Sequence, residues 1–261
     1  MKASIVVAMD GPYLDKAKNH GLFLSLIKNW NQRICVLLID CKTSDLIAHE
    51  KIQYVFIEKK QLETAGYNWP QNRDSYFSIE GGDFLPFFDF DEHELIIKID
   101  ADMIMQAPIR DEFYNNWRFG LVATTESDMK LREEFWRLQP KCGYEAAKKR
   151  FPEMKRKKLL NGGVVVAQAK TYEAIWAHYK RLFNVMVGTF GHHAGTQFLL
   201  SWIIHTYFHQ WNMGYSMHCG DWFIDVRTMS DRGKLYYRFP ELVVFNHTKF
   251  NPSYDFKKDR F

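Results

Sequence analysis

The chain has 261 residues, 46% of them hydrophobic, so it can bury a full core as one large domain or two intimately packed halves. Its net charge of +4 is compatible with an anionic substrate and does not by itself argue for nucleic acid. The four cysteines, Cys35, Cys41, Cys142 and Cys219, include no Cys-x-x-Cys pair, which argues against a zinc knuckle or redox centre and for a reducing cytosol.

Met1-Lys2-Ala3 leads directly into Ser4-Ile5-Val6-Val7-Ala8-Met9, so no signal peptide is expected. Strand-like runs follow at 33–39, 52–57 and 94–100, and with 3–9 they are continuous rather than alternating in hydrophobicity. That pattern suits strands covered on both faces, as in a parallel sheet. Leu22, Leu26 and Trp30 at i, i+4 spacing, joined by Phe23 and Ile27, predict a helix between the first two strands. Strand, helix, strand in this order reads as a right-handed crossover. Further strands are expected at Phe119 to Thr124, Gly163 to Ala167 and Leu242 to Phe245, with aromatic-rich helices at 170–187 and 194–208. The longest apolar stretch, Phe198 to Phe208, carries Ser201, His205 and Thr206 and is too short to span a bilayer. The expectation is one α/β domain over 1–261, with a nucleotide half at 1–102 and an acceptor half at 103–261.

The fourth strand ends in Ile99-Asp100-Ala101-Asp102-Met103. Two carboxylates on the rim of a sheet form a hard, oxygen-rich site suited to Mg²⁺ or Mn²⁺ carrying a phosphate group. A dehalogenase-type phosphatase places such a pair after the first strand, not some hundred residues in. A sugar-nucleotide-forming nucleotidyltransferase needs a Gly-rich turn after the first strand, where this chain has Met9-Asp10-Gly11-Pro12-Tyr13-Leu14 with one glycine. A glycosyltransferase needs a base pocket at the first strand, metal carboxylates after the fourth and an acceptor platform, and this chain offers all three in order.

Five stretches carry a resemblance to a known group. Val6 to Leu14 resembles the opening strand and turn of GT-A-fold glycosyltransferases, most closely family 8, which includes glycogenin and the lipopolysaccharide galactosyl- and glucosyltransferases. Ile99-Asp100-Ala101-Asp102 resembles the family's metal motif, and Leu160-Asn161-Gly162-Gly163-Val164-Val165-Val166 its Asn-Ser/Ala-Gly-Val strand. Thr196-Gln197 is similar to its Asp-Gln helix start, with Thr196 in place of Asp. Phe245-Asn246-His247-Thr248-Lys249-Phe250 resembles its C-terminal His-x-x-Gly-x-x-Lys region, without the glycine and with Lys249 closer to His247. The resemblance implies a GT-A fold, a UDP-linked sugar donor, a divalent metal and retention of anomeric configuration. It assigns the donor site to Ala8, Asp10, Tyr13, Arg73, Asp100, Ala101, Asn161, Gly162 and Lys249, the metal to Asp100, Asp102 and His247, and the catalytic set to Gln197, Asp100 and Asp102.

The residues fit these roles chemically. Asp102 is the first choice as direct ligand, Asp100 holds the metal partly through water and accepts from the ribose, and a carboxylate–imidazole set with His247 suits Mn²⁺. Asp10 accepts a ring N–H and Tyr13 stacks on uracil, although an Asp-Gly-Pro turn often uses its Asp for local backbone bonding. Arg73 is placed to grip a phosphate bidentately or to be a solvated helix charge. Glycines 162 and 163 let backbone approach the donor sugar, with Asn161 selecting its hydroxyls. Gln197, a poor base, supports an oxocarbenium-like transition state. An inverting enzyme would need a carboxylate base, for which Glu126, Asp128 and Asp221 are candidates.

Residues 148–158 carry seven positive charges in eleven positions. Such runs are usually solvated. Otherwise this one orients an anionic acceptor or docks on an anionic bilayer, at about 1 kcal/mol per basic residue, which would place a cytoplasmic enzyme peripherally at the inner membrane face. Two alternatives stand beside a saccharide or glycoconjugate acceptor. One is a DNA-modifying transferase acting on a hydroxymethylated base, with Trp136, Tyr144 and Phe151 stacking on bases. The other is a non-catalytic sugar-nucleotide or nucleic-acid binding protein.

Overall fold

A computed structural model describes residues 1–42, 46–64, 81–109, 121–130, 152, 158–190, 192–208, 211–213, 218–219 and 245–247. Four parallel strands form its first half: β1 (Ala3–Asp10), β2 (Arg33–Ile39), β3 (Ile52–Ile57), followed by the short helix α3 (Lys59–Thr64), and β4 (Leu95–Ile99). The sheet continues through β6 (Leu121–Lys130), β7 (Lys158–Gln168) and β8 (Trp211–Met213) in the order β3-β2-β1-β4-β7-β6-β8. β7 runs antiparallel to both β4 and β6. A second, three-stranded sheet joins β5 (Met103–Met105), β10 (Phe245–His247) and β9 (His218–Cys219) in the order β5-β10-β9.

The order matters for function. From β1 the chain builds outward to β2 and β3, then returns to lay β4 on the other side of β1. The carboxyl ends of β1 and β4 flank that reversal, the place where open α/β sheets as a class bind their ligands. Register pairs Val7 with Ile99, so Asp10 and Asp100 both emerge at this edge.

Continuous hydrophobicity in β1, β2 and β4 is explained by cover on both faces, whereas β3, expected to be covered likewise, is the edge strand and leaves Gln53 and Phe56 exposed. Val6, Cys35, Leu37, Ile96 and Val165 pack with residues of α4 (Ala169–Phe190) and α5 (His192–Tyr207), including Tyr172, Tyr179, Phe183, Leu199 and Ile203. Ile5, Val7, Ile97, Ile99 and Val166 pack on the other face with Leu14, Leu22, Phe23, Leu26, Met103 and Phe245. The helix expected between β1 and β2 is two helices, α1 (Gly11–His20) and α2 (Leu22–Asn29). Gly21 breaks them at φ +90°, where its N–H closes α1 onto the Ala17 and Lys18 carbonyls.

α2 also fixes β5. The Ser25 hydroxyl donates to the Leu22 carbonyl (2.6 Å) and accepts from the Met105 N–H (3.1 Å), while the Asn29 amide donates to the Met105 carbonyl (2.6 Å). Two side chains thus substitute for a neighbouring strand along that edge. A second polar cluster lies at the amino end of the large sheet. There buried Glu94 accepts from the Ser4 hydroxyl (2.5 Å) and Arg33 (2.8 Å) and pairs with Lys2 (3.0 Å).

Candidate active site at the carboxyl edge of the sheet

Asp10, the last residue of β1, caps α1: its Oδ1 accepts from the Tyr13 N–H at 3.0 Å. The local-bonding alternative for this carboxylate is therefore realised, with Pro12 in the first turn of the helix. The cap also brings Tyr13 to the aspartates. Burial pushes the Tyr13 phenol pKa up, and the negative charges of Asp102, Asp10 and Asp100 push it the same way. Lys16 Nζ lies 5.2 Å from the Tyr13 ring centroid. Apart from its chain neighbours and its own helix backbone, a Cβ on Gly11 would meet nothing within 4 Å among the described residues, so space is open at this position next to Asp10 in sequence. Ala8 is half-buried on the same strand.

The Asp100–Asp102 turn is held from below. The Asp100 N–H donates to the Gly163 carbonyl (3.0 Å), and the Met103 N–H folds back to the Asp100 carbonyl (3.3 Å). Lys98, two residues earlier and thus on the same strand face as Asp100, reaches the Asp100 carboxylate (2.5 Å) and the Gly162 carbonyl (2.8 Å). Its side chain is 6% exposed, against 33% for that of Asp100. Gly162 offers its carbonyl sideways because β7 is bulged there: Val165 pairs with Ala123, but the next partner, Thr124, pairs with Asn161.

β10 pairs antiparallel with β5, placing His247 opposite Met103, the residue after Asp102. The sequence separates these positions by well over a hundred residues, and the second sheet brings their backbones together. For His247, Asn161 and Gln197 the description is of backbone placement. Asn161 lies in β7, and Gln197 lies in α5 about one turn before Ser201. The Ser201 hydroxyl accepts from the Leu160 N–H at 3.0 Å, so this part of α5 is pinned beside the Asn161–Gly162–Gly163 segment. Arg73, Lys249, Thr196 as a side chain, Asp221 and the basic run apart from Pro152 and Lys158 lie outside the described residues, and Glu126 and Asp128 are described only as backbone of β6.

Among the described residues no three His, Cys, Asp or Glu side chains gather closely enough to hold a metal by themselves. The carboxylate pair and its hard oxygens fit Mg²⁺ or Mn²⁺ by chemistry.

No family model and no curated protein sequence matches the chain. Solved structures do. The galactosyltransferase LgtC, in complex with donor and acceptor sugar analogues, superposes with TM-score 0.56 at 13% identity over 94% of this chain and 86% of that one. Mouse xyloside xylosyltransferase 1 gives TM-score 0.57 at 14% identity over 95% and 97% of the two chains. The bifunctional glycosyltransferase WbbM gives 0.56 at 12% identity over 94% of this chain, which spans 45% of WbbM. The fold is that of the GT-A glycosyltransferases.

Two residues at the edge of this GT-A sheet were missed by sequence reasoning. Lys98 sits inside the run Leu95-Ile96-Ile97-Lys98-Ile99, and a lysine in such a run is its own signal, because lysine is almost never fully buried without a partner. His20, at the end of α1, lies within the field of Asp102. Burial holds its pKa below the ordinary histidine value against the opposing pull of that carboxylate. Tyr13, Ala17 and His20 recur at i, i+4 and i+7, which marks the face of α1 turned toward the site.

Proposed function

We propose that the chain is a metal-dependent glycosyltransferase resembling family 8, transferring a hexose from a UDP-sugar to a saccharide or glycoconjugate hydroxyl with retention. The observation that carries this reading is the convergence of Asp10, Tyr13, Asp100 and Asp102 at the reversal point of a GT-A sheet, with the His247 backbone registered beside Asp102. Asp102, Asp100 and His247 would hold Mn²⁺ or Mg²⁺. A divalent ion there supplies Lewis acidity that neutralises the departing diphosphate. Tyr13 would cover the uracil, over the open space at Gly11. Asp10, one oxygen already engaged by the helix, would offer the other to the ring N–H. Ala8 and Ala101 would line the nucleotide, with Arg73 and Lys249 on its phosphates.

Asn161 and Gly162 would face the donor sugar, and Gln197, anchored through Ser201 beside them, would support positive charge at the anomeric carbon. The chain would act as one unit, its 1–102 half binding donor and its 103–261 half binding acceptor, with 148–158 orienting an anionic acceptor or membrane. No helix among the described residues is long and apolar enough to cross a membrane. Among the described residues Cys35 and Cys41 carry free thiols, which fits a cytoplasmic protein.

Calorimetric titration of UDP and UDP-sugars, with and without Mn²⁺, on wild type and Asp102→Asn tests the donor site. UDP binding that needs Mn²⁺ and disappears in the variant is expected. Absence of UDP binding under any metal would overturn the donor assignment. Metal-dependent UDP binding without UDP release on any acceptor would favour the non-catalytic alternative.

A further inference from the structure

We infer that Lys98 is a positioning residue for the sugar end of the donor site: its ammonium fixes the Gly162 carbonyl, and with it the register in which β7 presents Asn161. The inference rests on the donor-sugar reading of Asn161 and Gly162 above and deepens it by naming what holds that segment in place. It starts from a buried charge. Lys98 is 4% exposed in a strand whose other residues are all aliphatic and buried. Ile97 and Ile99 pack on the face of the sheet covered by α1 and α2, and Ile96 on the face covered by α4 and α5. Alternation therefore places Lys98 on the α4 and α5 side. Taking an ammonium out of water is costly unless it is paired and hydrogen-bonded. Its acceptors are the Asp100 carboxylate at 2.5 Å and the Gly162 carbonyl at 2.8 Å.

Gly162 lies where the register of both neighbouring strands breaks. The ladder of β4 with β7 ends at Ile99 and Val164, and β4 then turns away, with a last bond from the Asp100 N–H to the Gly163 carbonyl. On the other side β6 advances by one residue, from Ala123 to Thr124, while β7 advances by four, from Val165 to Asn161. Gly162 thus has no register partner on either strand, yet it is buried. A buried carbonyl needs a donor, and two successive glycines have no side chains with which to hold a conformation. Lys98 supplies the donor and tethers the bulge in one contact.

Asn161 lies between two such ties. On one side Gly162 is held by Lys98 of β4, and on the other the Leu160 N–H donates to the Ser201 hydroxyl of α5 at 3.0 Å. The ladder with β6 restarts at Asn161, opposite Thr124. A slip of one residue in the bulge would turn this position to the opposite face of the sheet. The Lys98 tie selects one register from those open to a Gly-Gly segment.

The test is calorimetric titration of UDP, UDP-glucose and UDP-galactose in saturating Mn²⁺ on the full chain, as wild type, Lys98→Met, Asn161→Ala and the double variant. Lys98→Met is expected to weaken the better-bound UDP-sugar about tenfold more than UDP, the size of one hydrogen bond lost to a sugar hydroxyl. Asn161→Ala is expected to show the same preference. In the Lys98→Met background it should add under about a third of its effect in wild type, because the residue is already out of place. Lys98→Arg keeps the charge beside Asp100 but replaces a compact ammonium with a planar fork. It is expected to leave UDP near wild type and still weaken the UDP-sugar.

A lysine that served only the fold would lower the unfolding temperature of Lys98→Met and leave the ratio of UDP-sugar to UDP affinity unchanged. One that acted through Asp100 alone would weaken UDP and UDP-sugar equally. Either result overturns the inference, and Lys98→Arg gives the same reading if Lys98→Met does not fold. Selectivity in Asn161→Ala without selectivity in Lys98→Met sinks the Lys98 role only. Asn161→Ala without selectivity moves the sugar away from this segment, and wild type that binds no UDP removes the donor site; each takes this inference with it.

Discussion

The two ends of the large sheet handle carboxylates in opposite ways. At the amino end, Glu94 has no exposed side-chain surface and is met by Ser4, Arg33 and Lys2, while Asp91 shares Lys2 at 2.7 Å. Burial alone would push the Glu94 carboxyl up, but the hydrogen bonds from Ser4, Lys2 and Arg33 outweigh it and hold the pKa below the ordinary value. At the carboxyl end, Asp10, Asp100 and Asp102 gather around Tyr13, and the Lys98 ammonium bonds Asp100. One end spends its charges on the fold. The other concentrates negative potential at the carboxyl edge of the sheet, beside Tyr13.

Substitutions at the two ends should therefore separate stability from function. The largest effect is expected for Asp102→Asn, with transfer falling by about 10³-fold and little change in unfolding temperature, checked by donor turnover and calorimetry. A variant that unfolds easily but retains metal-dependent UDP binding would place Asp102 with the structural carboxylates instead. Glu94→Gln should do the converse, costing about 2 kcal/mol at pH 7 with UDP binding intact.

The sign of its pH dependence follows from the lowered pKa of Glu94. Its stabilisation is complete above the ordinary glutamate value of 4.5 and is lost as pH falls from there through the folded value. Denaturant melts of wild type and Glu94→Gln should converge below that pH. Parallel curves down to pH 3 would remove Glu94 from the acid response.

A smaller effect is expected for Gly11→Ala. The added methyl meets no protein atom, so stability should move by under about 0.5 kcal/mol, while UDP binding weakens by about tenfold if the base occupies that space. Unchanged UDP affinity would move the base elsewhere. The smallest is Ser25→Ala, which leaves the buried Met105 N–H without its acceptor at about 1 kcal/mol and loosens β5. Measured against a surface variant, it should weaken Mn²⁺·UDP binding more than its stability cost alone implies.

Much of this arrangement was legible in the chain. The runs at 3–9, 33–39, 52–57 and 94–100 became β1 to β4 within a residue or so; burial on both faces leaves an unbroken hydrophobic stretch in β1, β2 and β4, while β3 is a half-exposed edge strand. Asp10 and Asp100 were legible for the same reason, since each follows such a run directly. The helices at 170–187 and 194–208 were found with slightly different ends as α4 and α5.

The split at Gly21 was not foreseen, since the apolar spacing of α2 carried the expectation and left α1 unmarked. The strand read at Leu242 to Phe245 overlaps β10 at one residue, and 241–244 lie outside the described residues. The second sheet was beyond reach, because strands of two or three residues show no period and their pairing joins distant segments. Lys98 was passed over because one charge in five residues does not disturb a hydrophobic average.

The cap at Asp10 has a consequence for the ancestry of chains like this one. If Asp10 also holds the nucleotide, as proposed, it is kept by two separate selective demands, and losing the second leaves the first, the cap on α1, in force. A descendant that had ceased to transfer sugar would keep its Asp10 while Asp102 drifted. In any collection of such sequences the residue to sort by is thus Asp102, with Asp10 marking descent and not activity.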